Sequence, residues 1–170
     1  MKSSDKLLAI SAIIVSISAL FVSAYQVKVL SMQKDAAVWP YIRIEVSWGP
    51  EYYTIKISNQ GIGPGIIKNI SFDLKDTSFT RIDYLANYCL SQLEDSIVSK
   101  TSYSYSNIES NGTALIAGES VKILNFKGDM RKIQNALRDL GEMNLSIEYC
   151  SVYNKCWINK DNEELVEIEN

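Results

Sequence analysis

Twenty-one consecutive residues without a charge, Leu7 to Val27, constrain this chain more than any other feature. As an α-helix at about 1.5 Å per residue, the run is roughly 30 Å long, the thickness of a bilayer's hydrocarbon core. A surface helix of a soluble protein keeps a polar stripe, and this run has no charged one. Lys2 and Lys6 flank it on one side, Lys28 and Lys34 on the other. Tyr25 stands near its end, where an amphipathic ring favours the membrane interface. The segment reads as a transmembrane helix over residues 7–27, with residues 1–6 as its N-terminal flank. The rival reading is a cleaved signal peptide, since Val22-Ser23-Ala24 passes as a small-x-small cleavage site. No polar break precedes that site. The helical apolar pattern also runs on through Val27, Val29, Leu30 and Met32. Both points favour an uncleaved anchor with a helical juxtamembrane linker over residues 28–38. Basic residues tie across the span, so the positive-inside rule leaves its orientation open.

Within the span, Ala9, Ala12, Ser16, Ala19 and Ser23 recur at spacings of three and four. They form a seam of small residues on one helix face. In lipid, helices associate where small residues let backbones approach and hydroxyls bridge. The register continues through Gln26, Leu30, Gln33 and Ala37, which extends the seam as a short coiled segment. The expected outcome is a homo-oligomer held through the transmembrane helix. Ala and Ser as ordinary fillers of a membrane helix remain the plainer alternative.

Trp39-Pro40 ends the helical pattern, because the residue before proline avoids the α region. From there to residue 160 the period changes to two. Ile42, Ile44, Val46 and Trp48 alternate with Arg43, Glu45 and Ser47, as in a half-buried strand. Residues 52–58 alternate again, and residues 66–74 make a third strand. Residues 80–94 return to helical spacing, with Ile82, Leu85, Cys89 and Leu93 on one face and Thr80 as the expected N-cap. Residues 97–105 carry a weak strand pattern, and 107–112 a turn cluster. Residues 114–126 carry two strand-like pieces around Ala117-Gly118-Glu119. A second amphipathic helix spans 129–140, capped by Asp129, with Ile133, Ala136, Leu137 and Leu140 inward and Gly141 as its stop. Residues 143–150 and 156–159 pair as a hairpin. The predicted fold class is an N-terminal transmembrane α-helix followed by a mainly-β soluble domain, an immunoglobulin-like β-sandwich with two inserted helices. A mixed α+β sheet is the alternative.

Several arrangements of these residues bear on chemistry. Gly61, Gly63, Pro64 and Gly65 make a glycine-rich segment, but neither Lys-Ser/Thr nor a helix follows it, so it does not match a phosphate loop. It is expected to be a structural turn in which the glycines supply positive φ. Cys150 and Cys156 flank a five-residue loop and are placed to meet as a cross-strand disulfide; reduced paired thiols are the competing state. Cys89 reads as a small buried hydrophobe. The chain has no histidine, which removes His-based triads, His-based metal sites and a histidine pH switch. No catalytic, cofactor or metal residue is assigned, and no enzyme activity is expected. Tyrosine is abundant, at ten residues, more for strand structure than for a dedicated binding face.

Charge divides the chain further. Residues 36–160 hold 13 basic and 13 acidic side chains, whereas residues 161–170 hold five acidic ones and no base. The acidic excess is therefore one C-terminal tail, read either as a solvated terminus or as a docking segment for a protein partner. In the docking reading, Val166 and Ile168 add a strand to another sheet. An isoelectric point near 5.1 argues against binding a nucleic-acid polymer.

One resemblance adds to this. Trp39-Pro40-Tyr41, then Asn59-x-Gly61-x-Gly63-Pro64, Ala117 to Ser120, Tyr149-Cys150-Ser151 and Cys156-Trp157 follow the uncharged span in that order. The pattern resembles a loose group of uncharacterised bacterial single-span membrane proteins with a C-terminal sandwich-like domain. The resemblance implies membrane attachment and fold type, and carries no functional residue. The expectation is a membrane-anchored binding or interaction protein of the bacterial inner membrane, with the domain leaning to the periplasmic side. The alternative is a membrane-anchored cytosolic sensor or effector that binds a small anionic ligand between protomers. Lys68, Arg81, Arg131, Lys132 or Arg138 are its candidate contacts.

Overall fold

The computed structural model describes residues 3–106, 108, 112–137, 141–161 and 163–168. Lys2, Asn107 and residues 109–111 of the turn cluster, Arg138, Leu140 and Glu169 lie outside the described residues, as do the side chains of Ala136 and Leu137. The chain forms two units, Met1–Ala37 and Val38–Asn170.

The first unit is α1, Ser3–Ala37, an unbroken helix of 35 residues. At ~1.5 Å per residue it is about 50 Å long. No glycine or proline precedes Pro40, so nothing interrupts the i→i−4 ladder until the Trp39-Pro40 stop. Its apolar side chains are exposed all round, among them Leu8, Ile14, Leu20 and Phe21. The helix is long and apolar enough to cross a membrane.

Among the described residues, the second unit holds ten strands and three helices. In chain order these are β1 (Ile42–Trp48), β2 (Tyr52–Asn59), β3 (Gly65–Leu74), β4 (Thr77–Phe79), α2 (Ile82–Ser91), α3 (Asp95–Val98), β5 (Ser102–Tyr105), β6 (Thr113–Leu115), β7 (Ser120–Lys127), α4 (Met130–Leu137), β8 (Met143–Cys150), β9 (Cys156–Lys160) and β10 (Glu164–Ile168). They make two antiparallel sheets. One runs β1-β2-β7-β5 and the other β10-β9-β8-β3-β4. β4 pairs with the Phe72–Leu74 end of β3, and β6 with its Gly65–Ile67 end.

Alternation decides what each sheet buries. Ile42, Ile44, Ile55 and Ile57 from the first sheet and Ile67, Ile70, Phe72, Leu145, Ile147 and Tyr149 from the second join one core. The outer face of the first sheet carries the polar partners. Glu45 sits opposite Lys56 in the register. Its carboxylate takes the Lys56 ammonium at 2.6 Å and the Ser58 hydroxyl at 2.6 Å. A bulge between Ile55 and Lys56 lets consecutive residues Ile123 and Leu124 of β7 both face inward.

The strands define two ends. Ile42, Asn59, Gly65, Ser120 and Cys150 lie at the end where Val38 enters, here the proximal end. Trp48, Tyr52, Leu74, Lys127 and Met143 lie at the distal end. The alternating face of β1 leaves the core halfway: Val46 and Trp48 are 48% and 68% exposed. They reach the distal end on an edge strand, with β2 as their only sheet neighbour among the described residues.

Asn59 organises the proximal end. Its side chain is 1% exposed. The Oδ1 atom accepts from the Tyr41 and Gly61 N–H groups at 3.2 and 3.0 Å. The Nδ2 atom donates to the Gly63 and Leu115 carbonyls at 2.8 and 2.9 Å. Backbone bonds reinforce the same joint, from Ile62 N–H to Trp39 O at 3.0 Å and from Gln60 N–H to Tyr41 O at 2.8 Å. The glycines of this loop differ from expectation. Gly61, Gly63 and Gly65 are not among the positive-φ residues; Gly112, Gly118 and Gly141 are. They are glycines for space. A Cβ on Gly61 would collide with the Trp39 carbonyl and the Tyr41 nitrogen, one on Gly63 with the Val38 backbone, and one on Gly65 with the Ile42 side chain. The incoming segment Val38–Tyr41 lies directly across the loop.

Other boundaries also shift. α2 starts at Ile82 with Arg81 in the N-cap position and no side-chain cap bond, so Thr80 does not cap it. Residues 95–98 form the short α3 ahead of β5. Asp129 does cap α4, through a 3.4 Å bond from Lys132 N–H to its carboxylate. Residues 164–168 of the acidic tail add a strand to the chain's own second sheet.

Replacing Asn59 with Ala orphans two buried N–H groups and two carbonyls, at about 1–3 kcal/mol per group before relaxation. The expected loss of unfolding free energy is at least about 3 kcal/mol, read from denaturant titration. Gly63→Ala is expected to destabilise comparably despite its ordinary φ, whereas Gly118→Asn, at φ 79° in open space, costs less than about 1 kcal/mol.

Candidate functional site

The distal end contains an apolar cavity of about 280 Å³. Its floor is the sheet edge of the core: Tyr53 of β2, Leu74 of β3, Leu124 and Phe126 of β7, and Met143 of β8. Two helices form its walls. α2 contributes Leu85 and Cys89, from the face that its helical spacing turns inward. α4 contributes Met130, Ile133 and Gln134. α2 is held against β4 by the Phe79–Tyr88 ring contact, with centroids 5.2 Å apart. α4 is tied to the end of β1 by a 3.0 Å bond from Met130 N–H to the Pro50 carbonyl. Two helices that straddle the sheet ends on separate tethers leave the space between them unfilled.

The cavity carries few polar atoms: the Tyr53 hydroxyl, the Cys89 thiol and the Gln134 amide. Burial pushes the Cys89 thiol up to about 11 from an ordinary value near 9. Burial also raises Tyr53, with a smaller contribution from the charge that Cys89 would carry. Both groups therefore stay neutral at physiological pH, and the thiol is held away from its nucleophilic form. No group of three or more His, Cys, Asp or Glu among the described residues is placed to hold a metal ion.

The residues singled out in the sequence do not converge here. Cys150 and Cys156, opposite each other in the β8–β9 register, are joined in a buried disulfide at the proximal end. The Ser151 hydroxyl shapes the connecting turn by accepting from the Tyr153 and Lys155 N–H groups, each at 3.3 Å. The rings of Tyr149 and Trp157, the next opposed pair, meet in a tilted contact with centroids 5.8 Å apart. Asn159 of β9 donates across to the Ile42 carbonyl of the other sheet at 2.7 Å. The proximal tips around this joint expose Trp39, Ile62, Ile116, Val152 and Tyr153. In α1 the Ser16 hydroxyl donates to the Ala12 carbonyl at 2.7 Å, so its proton is used within its own helix.

The basic candidates are dispersed. Arg81 pairs with Asp83 at 2.6 Å and lies over the Tyr84 ring. Lys132 approaches Asp129 at 3.8 Å. Lys68 is exposed on β3. Arg131 borders a polar cleft with Lys100 and Lys127, where Glu51 and Asp129 offset them. The cavity itself had no local signal in the sequence. Periodicity gives the inward faces of both helices, and their separation is a tertiary outcome. No known protein family, curated protein or solved structure matches the chain.

The raised thiol gives a pH dependence. The unfolded chain loses the Cys89 proton near pH 9 and the folded one near 11, so the stabilisation is complete below pH 9 and lost as pH rises to 11. The expected loss is on the order of 2 kcal/mol. Cys89→Ala should flatten the pH 9–11 limb of the stability profile measured by denaturant titration.

Proposed function

We propose that this chain is a single-pass membrane protein whose anchored domain is an extracytoplasmic binding module with an immunoglobulin-like sandwich. The Cys150–Cys156 disulfide carries the placement, since such bonds persist in oxidising compartments and are rare in the cytosol. The apolar, fully exposed α1 supports the anchor. The strand order supports the fold: β1-β2-β7-β5 follows the A-B-E-D order and β3, β8 and β9 the C-F-G order of a constant-type immunoglobulin sandwich. β4 and β10 then lie outside C and G. The bacterial inner membrane is the matching location, with the domain in the periplasm. Binding rather than catalysis suits a site that holds a neutral thiol, a neutral phenol and an amide and no group charged at neutral pH. Self-association through Ala9, Ala12, Ser16, Ala19 and Ser23 belongs to the same reading.

Topology and redox state test it together. In intact cells with a permeabilised outer membrane, an impermeant maleimide should label Cys150 and Cys156 only after a reductant is added. Labelling without reductant overturns the placement. Reduction should lower stability by about 2 kcal/mol, the loop-closure value for so short a loop. For the seam, crosslinking of the wild-type chain should give a dimer or higher band that disappears when Ala12, Ser16 and Ala19 are all changed to Leu. A ladder identical in both would remove the seam from the reading.

A further inference from the structure

We infer that the distal cavity is a binding site for the end of an unbranched alkyl chain. This rests on reading the domain as a binding module, and not on which side of the membrane it occupies. Three observations carry it. The first is size. Protein interiors leave few voids larger than a water, and ~280 Å³ holds about nine heavy atoms at roughly 30 Å³ each. The second is chemistry. Each water filling such a space needs two to four polar partners, and among the described residues the lining's polar side chains are Tyr53, Cys89 and Gln134. Among the described residues no charged side chain lines it, so the buried part of an occupant is uncharged and apolar. The third is shape and access. Met130 and Met143, on opposite elements, supply soft thioethers that adapt to a flexible chain. Gln134 and Gly141 are the lining residues open to solvent, whereas Leu85, Leu124, Met130 and Ile133 are buried. An alkyl chain of about eight to ten carbons therefore enters end-on, with its polar head left at the mouth beside the Gln134 amide.

Cys89 supplies the readout, because it lines the cavity and is the one cysteine outside the disulfide. The full chain is placed in nanodiscs of diphytanoyl phospholipid, which contain no straight alkyl tails. Modification of Cys89 by methyl methanethiosulfonate is then timed at pH 9. Decanoate and a decanoyl lysophospholipid are the probes, with butanoate as the short-chain control. Saturating ten-carbon probe should slow modification at least tenfold and raise the melting temperature by several degrees; butanoate should do neither. Protection by decanoate alone assigns the chain to a free fatty acid. Protection by the lysophospholipid alone assigns it to a lipid tail, and protection by both to any accessible alkyl end. Ile133→Phe, which places a ring in the cavity, should abolish the protection. Should that variant not fold, Cys89→Leu should abolish the melting shift instead. If neither probe slows modification or shifts melting of the folded wild-type chain, the proposal fails and the cavity is a void in the core. That failure leaves the maleimide topology result untouched, and a cytosolic topology would leave the protection untouched.

Discussion

Four hydrogen bonds from one buried amide set the geometry of the domain. Asn59 closes β2, yet its side chain serves the strand before it, the loop after it and β6, more than fifty residues on. An amide offers both a donor and an acceptor at one point, which neither a carboxylate nor a hydroxyl can match with the same reach. The three neighbouring glycines make room for the backbone that this amide binds. The first sheet, the loop that crosses to the second and the strand that edges it are therefore fixed at a single corner. A hydrophobic core alone tolerates sliding between sheets, whereas a satisfied buried polar network specifies one arrangement.

The two ends built on that corner differ in character. The proximal end is dense with directed bonds: the Asn59 network, the disulfide, the Ser151 turn and the cross-sheet bond from Asn159. The distal end is closed by two helices with few polar tethers, and it retains the cavity. Directed polar bonds concentrate at one end, and apolar packing of two helices closes the other.

Much of this was legible in the residues. The span announced itself through an absence of charge, and the period-two patterns of β1, β2 and β3 identified strands because one face of each is buried. Asp129 was readable as a cap because its carboxylate has only local work to do. The three-residue strand β4 was not readable, since so few residues cannot establish a period. In the 61–65 loop the sequence pattern does not reveal why glycine is needed: glycine serves positive φ and close packing alike, and only the path of Val38–Tyr41 selects close packing. β1 lost its apolar face at Val46 because burial there depends on what the rest of the chain sets opposite. The cavity was invisible for the same cause, as six elements distant in sequence contribute to it.

The acidic residues of the C-terminus take on a different meaning once β10 is an edge. An open strand edge is a template for pairing with any other chain. Asp161, Glu163 and Glu167 lie along or beside that edge, with Lys155 offsetting Glu167 at 3.7 Å. Part of the charge that sets the chain's isoelectric point thus lines an open strand edge. Like charges there oppose strand pairing with a second copy of the same edge.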